Sequence, residues 1–226
     1  MPGSSIHHFT ISIAGVVVKI HTMYSRTYWM CKNYICDDTP DFEVTITEED
    51  LLEEQFLALG NNEHYLGGYL EPTAVYRKII ERAVDYNILM LHGAAIALNN
   101  TGYIFSGKSG VGKTTHIKKW LDQNADAIVL NGDKPLIRYM NDSFFVCGTP
   151  WSGKEYLNTN KMIQLKSIVF MTRNDNNSVT EIDFQNAVPF LLKQIYIHKD
   201  PGKLQQSLDL VANMKGKVNF YAFLSK

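Results

Sequence analysis

Hydrophobic and polar positions divide the chain into a strand-rich beginning and a longer region where strand and helix patterns alternate. Residues 6–20 are rich in Ile, Val and Thr and partly alternate, which predicts one or two strands. Phe42-Glu43-Val44-Thr45-Ile46 alternates cleanly and predicts another. Between them Thr27-Tyr28-Trp29-Met30 is apolar and aromatic, with no turn chemistry. Thr47-Glu48-Glu49-Asp50 has the form of a capping box, opening a helix to about Leu59 with acids in its first turn. Residues 1–60 are therefore expected to form a small β-rich unit with a helical tail. The turn-forming residues from Gly60 to Gly68 predict a linker over 61–70, leaving 71–226 as the larger core.

In that core, Pro72 stands where a helix would start, and Val75, Ile79, Ile80, Ala83 and Val84 give the helix an apolar face. The run Ile88 to Leu98 is apolar except for His92 and predicts one buried strand. A turn at Asn99-Asn100-Thr101-Gly102 leads into Tyr103-Ile104-Phe105, a short strand. Beyond it Ile117, Trp120 and Leu121 recur as the stripe of an amphipathic helix. Ala127 to Leu130 is the next strand. Leu136–Tyr139 and Phe144–Cys147 predict a hairpin around Asn141-Asp142, followed by a loop from Gly148 to Lys154. Leu165–Met171 and Val179–Ile182 read as strands on either side of the polar turn Arg173 to Ser178. Helices are expected from Phe184 to about His198 and from Pro201 to about Met214, and Val218–Leu224 closes the pattern as a strand. The alternation predicts an α/β fold.

Composition narrows this picture. The chain has 226 residues, 45% of them hydrophobic and 20% charged, which is ordinary for a globular protein. A formal net charge of −1 provides no general attraction for nucleic acid or anionic membrane, so neither is an expected partner. Cys31, Cys36 and Cys147 lack metal-site spacing and read as reduced thiols. With no signal-like N-terminus and no apolar run near 20 residues, a cytoplasmic location is expected.

The candidate chemistry centres on Gly107-Lys108-Ser109-Gly110-Val111-Gly112-Lys113-Thr114-Thr115, which contains the spacing G-x-x-x-x-G-K-[ST] of the Walker A, or P-loop, motif. Its glycines let backbone N–H groups converge on an anion, and a helix starting near Gly112 adds the positive end of its dipole. Lys113 would reach the β and γ phosphates and Thr114 would ligate Mg²⁺. The expected ligand is a nucleoside triphosphate, ATP with Mg²⁺.

A second acid must hold the metal, and some group must orient or deprotonate the acceptor. Asp133, at the end of the strand after the loop helix, is the metal candidate; otherwise it starts a turn with Gly132 and Pro135. His92 is a base, acid or phosphate ligand in one reading and a satisfied core histidine in the other. Gly93 after it would allow close approach of a phosphate. The loop Thr149 to Lys154 is either a wall over the substrates, with Lys154 on phosphate, or a surface turn with Trp151 buried. Arg138 and Arg173 read as surface charges.

His92-Gly93, Phe105-Ser106-Gly107 with the loop, and Gly132-Asp133 at a strand end resemble the HPr kinase/phosphorylase and phosphoenolpyruvate carboxykinase superfamily. The layout is similar to the small HPr-kinase-like proteins of peptide natural-product clusters, including serine kinases. That resemblance implies a P-loop kinase core behind a small N-terminal β-rich unit, with ATP and Mg²⁺. Its acceptor would be a serine or threonine hydroxyl of a peptide or protein, with a small hydroxyl substrate as the alternative. It places His92 beside the transferred phosphate, Asp133 on the metal or as base, and Lys113 among the catalytic residues. One departure stands out: the family pattern carries two adjacent aspartates, whereas this chain has Asn131-Gly132-Asp133-Lys134. The missing carboxylate keeps a second reading open, a nucleotide-gated binding module. Assembly is open too, a homo-oligomer included.

Overall fold

The computed structural model describes residues 7–60, 64–174 and 176–225. They fall into two compact units, Met1–Arg82 and Ala83–Lys226.

In the first unit, strands β1 (His7–Ile13) and β2 (Val16–Thr22) form an antiparallel hairpin. Ala14 and Gly15 at its tip both take positive φ, the turn whose twist matches that of the strands. Strand β3 (Phe42–Thr45) adds to β2 in parallel. Alternation buries one face through Ile11, Ile13, Val18, Ile20 and Val44. The aromatic segment at Thr27–Met30 lies in helix α1 (Ser25–Cys31). Helix α2 (Glu48–Leu59) opens on the expected capping box, with Thr47 and Asp50 each accepting the other's backbone N–H.

Helix α3 (Gly67–Ala83) starts five residues ahead of Pro72, which it carries inside. An early proline costs the helix one amide hydrogen bond, and tertiary contacts outweigh that loss. Glu71, fully buried, accepts hydrogen bonds from the backbone N–H groups of Met23 and Tyr24 and from the Thr27 hydroxyl. Lys78 bonds to the Thr45 carbonyl and pairs with Asp50, and Arg77 pairs with Glu54. These contacts tie α3 to the first unit. The division therefore falls at Arg82/Ala83, later than the linker read at 61–70, where residues 61–63 lie outside the described residues.

The second unit is a mixed α/β structure. Its strands are β4 (Ile88–Met90), β5 (Gly93–Leu98), β6 (Thr101–Ser106), β7 (Ile128–Asn131), β8 (Leu136–Met140), β9 (Ser143–Cys147), β10 (Met162–Arg173), β11 (Ser178–Ile182) and β12 (Asn219–Ser225). Along the sheet they run β4-β8-β9-β10-β6-β5-β7, with β12 on β10 and β11 on β12. Strand β10 joins two directions: Met162–Gln164 pair antiparallel with β9, and the rest runs parallel to β6 and β12. Helix α4 (Lys113–Gln123) packs through Ile117 on Ala94, Ile96 and Phe105. Helices α5 (Phe184–Leu192) and α6 (Pro201–Asn213) bury Leu191 and Leu210 in a second cluster with Ile104, Ile168 and Phe170. Neighbouring residues such as Ile104 and Phe105 thus serve opposite faces.

Two expectations change here. The apolar run Ile88–Leu98 is two strands, broken at Leu91-His92, because β4 pairs with β8 and β5 with β6 and β7. Helix α5 stops at Leu192 instead of reaching His198, since Ile195 leaves the helix to bridge Leu91. Among the described residues no helix is long and apolar enough to cross a membrane. Cys31, Cys36 and Cys147 are free thiols, and burial pushes Cys147 up to about 12.

Candidate functional site

The glycine-rich segment links the end of β6 to the start of α4. Gly110 and Gly112 take φ of 78° and 104°, where a side chain is strained. A Cβ on Gly107 would stand 2.6 Å from the Met171 carbonyl oxygen. No side chain caps α4 at Gly112, so its first N–H groups and the positive end of its dipole face the loop. Lys113 is buried, and its ammonium donates to the carbonyl oxygens of Gly107 at 2.8 Å and Lys108 at 3.3 Å. Burial pushes the Lys113 pKa down, against the pull of Asp133. A desolvated cation resting on neutral carbonyls gains most from an anion delivered to the loop. Arg173, read from the sequence as a surface charge, reaches the loop from the tip of β10 and donates to the Gly110 carbonyl at 2.9 Å.

His92 occupies the break between β4 and β5. Its backbone N–H donates to the Gln194 carbonyl, and its carbonyl accepts from the Ser106 hydroxyl at 2.7 Å, beside the loop's first residue. Nδ1 of its ring lies 3.0 Å from Oε1 of Gln194, and Nε2 lies 3.3 Å from Oδ1 of Asp133. Gly93 is required by packing. A Cβ there would stand 2.9 Å from the Ile104 side chain, so a side chain would disturb the packing of β5 on β6.

Asp133 is set by Asn131. The fully buried Asn131 amide donates to the carbonyl and hydroxyl of Thr149, and its oxygen accepts the N–H groups of Asp133 and Lys134 at 2.8 and 2.6 Å. One side chain thereby fixes both the turn after β7 and the loop from Gly148. The Asp133 carboxylate lies between His92 and Lys134, whose ammonium is 3.0 Å from Oδ2. Burial would raise its pKa, but the hydrogen bond from His92 and the charge of Lys134 hold it down at about 2. Gly132, the residue before it, has no room for a side chain: a Cβ would lie 2.6 Å from the Ser152 carbonyl oxygen.

Asp133, Thr114, Ser109 and Lys154 line a common cavity of about 440 Å³. Trp151, in the same loop, is buried, and Lys154 of the lining is exposed. A second cavity of about 430 Å³ flanks the loop through Gly107–Val111, Phe190, Arg173, Lys193 and Gln194. Among the described residues no three His, Cys, Asp or Glu side chains gather as a metal cluster. Thr114 and Asp133 together suit Mg²⁺, which takes one or two carboxylate ligands and completes its shell with phosphate oxygens and water. Sequence reasoning missed Asn131, Gln194 and Arg173. Asn131 read only as part of a turn, and Gln194 stands 102 residues from the histidine it touches.

Fold and site together define a mixed α/β chain with a glycine-rich strand–loop–helix unit and a His–Asp pair beside it. Comparison with protein-family models and with curated proteins finds no match. Among solved structures it is weakly similar to the Hpr(Ser) kinase/phosphatase from Coxiella burnetii, with 11% identity and a TM-score of 0.32. The alignment covers 55% of this chain and 88% of that one.

Proposed function

We propose that this chain is an ATP-dependent phosphotransferase that passes the γ-phosphate to a hydroxyl, in the first instance a serine or threonine of a peptide or protein. The observation that carries the reading is the placement of Asp133 in one cavity with Thr114, across from the buried Lys113 of the loop. The N–H groups from Gly107 to Thr115 and the Lys113 ammonium hold the triphosphate. Thr114 and Asp133 hold Mg²⁺, which neutralises phosphate charge when bound.

Both ring nitrogens of His92 face other side chains, so His92 acts as a positioning residue for Asp133. Asp133 then orients the acceptor hydroxyl. The hydroxyl oxygen forms a bond to the γ-phosphorus, the bond to the bridging β-oxygen breaks, and ADP leaves with that electron pair. The proton of the acceptor hydroxyl passes to the Asp133 carboxylate as the new bond forms.

The test is transfer of label from γ-labelled ATP, with Mg²⁺, to the proteins, peptides and small molecules of a source-cell lysate. Asp133→Ala is expected to keep nucleotide binding and to lose about 10²-fold or more in transfer. Lys113→Ala should lose both. Unchanged transfer in Asp133→Ala would overturn the assignment. Tight ATP binding by the unaltered protein without any transfer would favour the nucleotide-gated binding module, a reading that the single aspartate of Asn131-Gly132-Asp133 supports.

A further inference from the structure

The two cavities beside the loop differ in chemistry. The one holding Asp133 is polar, with Thr114, Ser109, Lys154 and Glu155 around it. The other has an aromatic and aliphatic floor between the loop and the end of α5. Phe190 forms part of that floor. It is 41% exposed, yet it is stacked on the buried Phe170, with ring centroids 5.1 Å apart and planes inclined by 24°. A large aromatic side chain partly open to solvent and stacked on a buried ring is a platform for a further planar group. Arg173 stands at the edge of the same cavity, its Nη2 held by the Gly110 carbonyl. That bond ties the guanidinium to the loop within the lining that also holds Phe190.

We infer that this apolar cavity receives the nucleobase of the triphosphate, stacked on Phe190 and edged by Arg173, while the polar cavity is left to the acceptor. The inference rests on the proposed binding of a triphosphate by Gly107–Thr115. Three observations carry it further. The cavity shares Gly107 to Val111 with that loop, so a nucleotide whose phosphates sit in the loop reaches it without leaving the surface. Its volume of about 430 Å³ lies in the range of small-ligand sites, about 300–1,000 Å³. The base is the uncharged, planar end of the ligand, and of the two linings, among the described residues, this one supplies the aromatic side chains. The carboxylates of Asp133 and Glu155 make the other side a poor host for a π-system and a good one for a hydroxyl. Lys193, at the end of α5 in the same lining, suits the ribose or the α-phosphate between base and loop.

The experiment compares ATP with tripolyphosphate, which carries the phosphates and no base, by calorimetric titration with Mg²⁺. Phe190→Ala is expected to weaken ATP about tenfold or more, the scale of losing one base–aromatic stack, and to leave tripolyphosphate unchanged. Phe190→Tyr should restore ATP affinity, and both variants should melt close to the unaltered protein because Phe190 is partly exposed. Equal affinity of Phe190→Ala and the unaltered protein for ATP would overturn the inference. So would a parallel loss for ATP and tripolyphosphate, which would make Phe190 a support of the loop. A raised KM for the acceptor with unchanged ATP affinity would assign the cavity to the acceptor instead. If the unaltered protein bound neither ligand, the triphosphate reading itself would fall; if it bound tripolyphosphate as tightly as ATP, only the nucleobase site would.

Discussion

Asn131 and Gly132 stand side by side at the end of β7 and work by opposite means. Asn131 fills its position with hydrogen bonds: its amide reaches the Thr149 carbonyl and hydroxyl while its oxygen collects two backbone N–H groups. Gly132 works by leaving space for the Ser152 carbonyl, which passes where a Cβ would stand. The single aspartate of this site thus follows from packing. An aspartate at 132 would displace the Ser152 segment before it could serve as a second carboxylate. Gly132→Ala tests this at its smallest. A methyl forced against backbone oxygen is expected to cost about 1–3 kcal/mol, read as a lower urea midpoint at unchanged slope. A midpoint equal to that of the unaltered protein would show that the loop yields freely. None of this is visible in the string Asn-Gly-Asp, which reads as a turn whichever way its side chains point.

Among the elements, α3 shows how a buried acid can organise a unit. Glu71 provides the N-terminus of α1 with acceptors that Tyr24, its N-cap, does not supply. Burial raises the Glu71 pKa, and the hydrogen bonds from Met23, Tyr24 and Thr27 only partly offset it. A carboxyl raised in the folded state contributes stability that is complete below its ordinary value of 4.5 and is lost as pH rises through the raised value. The urea midpoint is therefore expected to fall as pH rises above 4.5, and Glu71→Gln, which cannot titrate, should remove that part of the slope. Identical pH slopes in the two proteins would contradict the assignment. The expected helix start at Pro72 shows why such elements are hard to place. Proline marks a favoured first turn, but here contacts from Glu71 onward hold a longer helix together around it.

Across the molecule, the proposed function predicts that ATP with Mg²⁺ binds the folded chain in preference to the unfolded one. At about 100 times Kd this adds about 2.7 kcal/mol, enough to raise the melting temperature by about 5 °C or more. Lys113→Ala should abolish the shift, and a shift of the same size in that variant would place the nucleotide elsewhere. The glycine-rich spacing that ends in Lys113-Thr114, the capping box of α2 and most strands of both units are legible in the chain itself. Each depends on neighbours within a few residues: glycine spacing before a lysine, Thr47 with Asp50, or the alternation of Phe42 to Thr45. What tertiary structure decided depends on partners far apart in sequence. It broke the run from Ile88 to Leu98 at His92, brought Gln194 to that histidine and carried Arg173 to Gly110. It also closed Gly132 against Ser152. Local periodicity records which face of an element is buried, but it carries no record of which distant backbone will lie against it, and that contact determines the geometry of the candidate site.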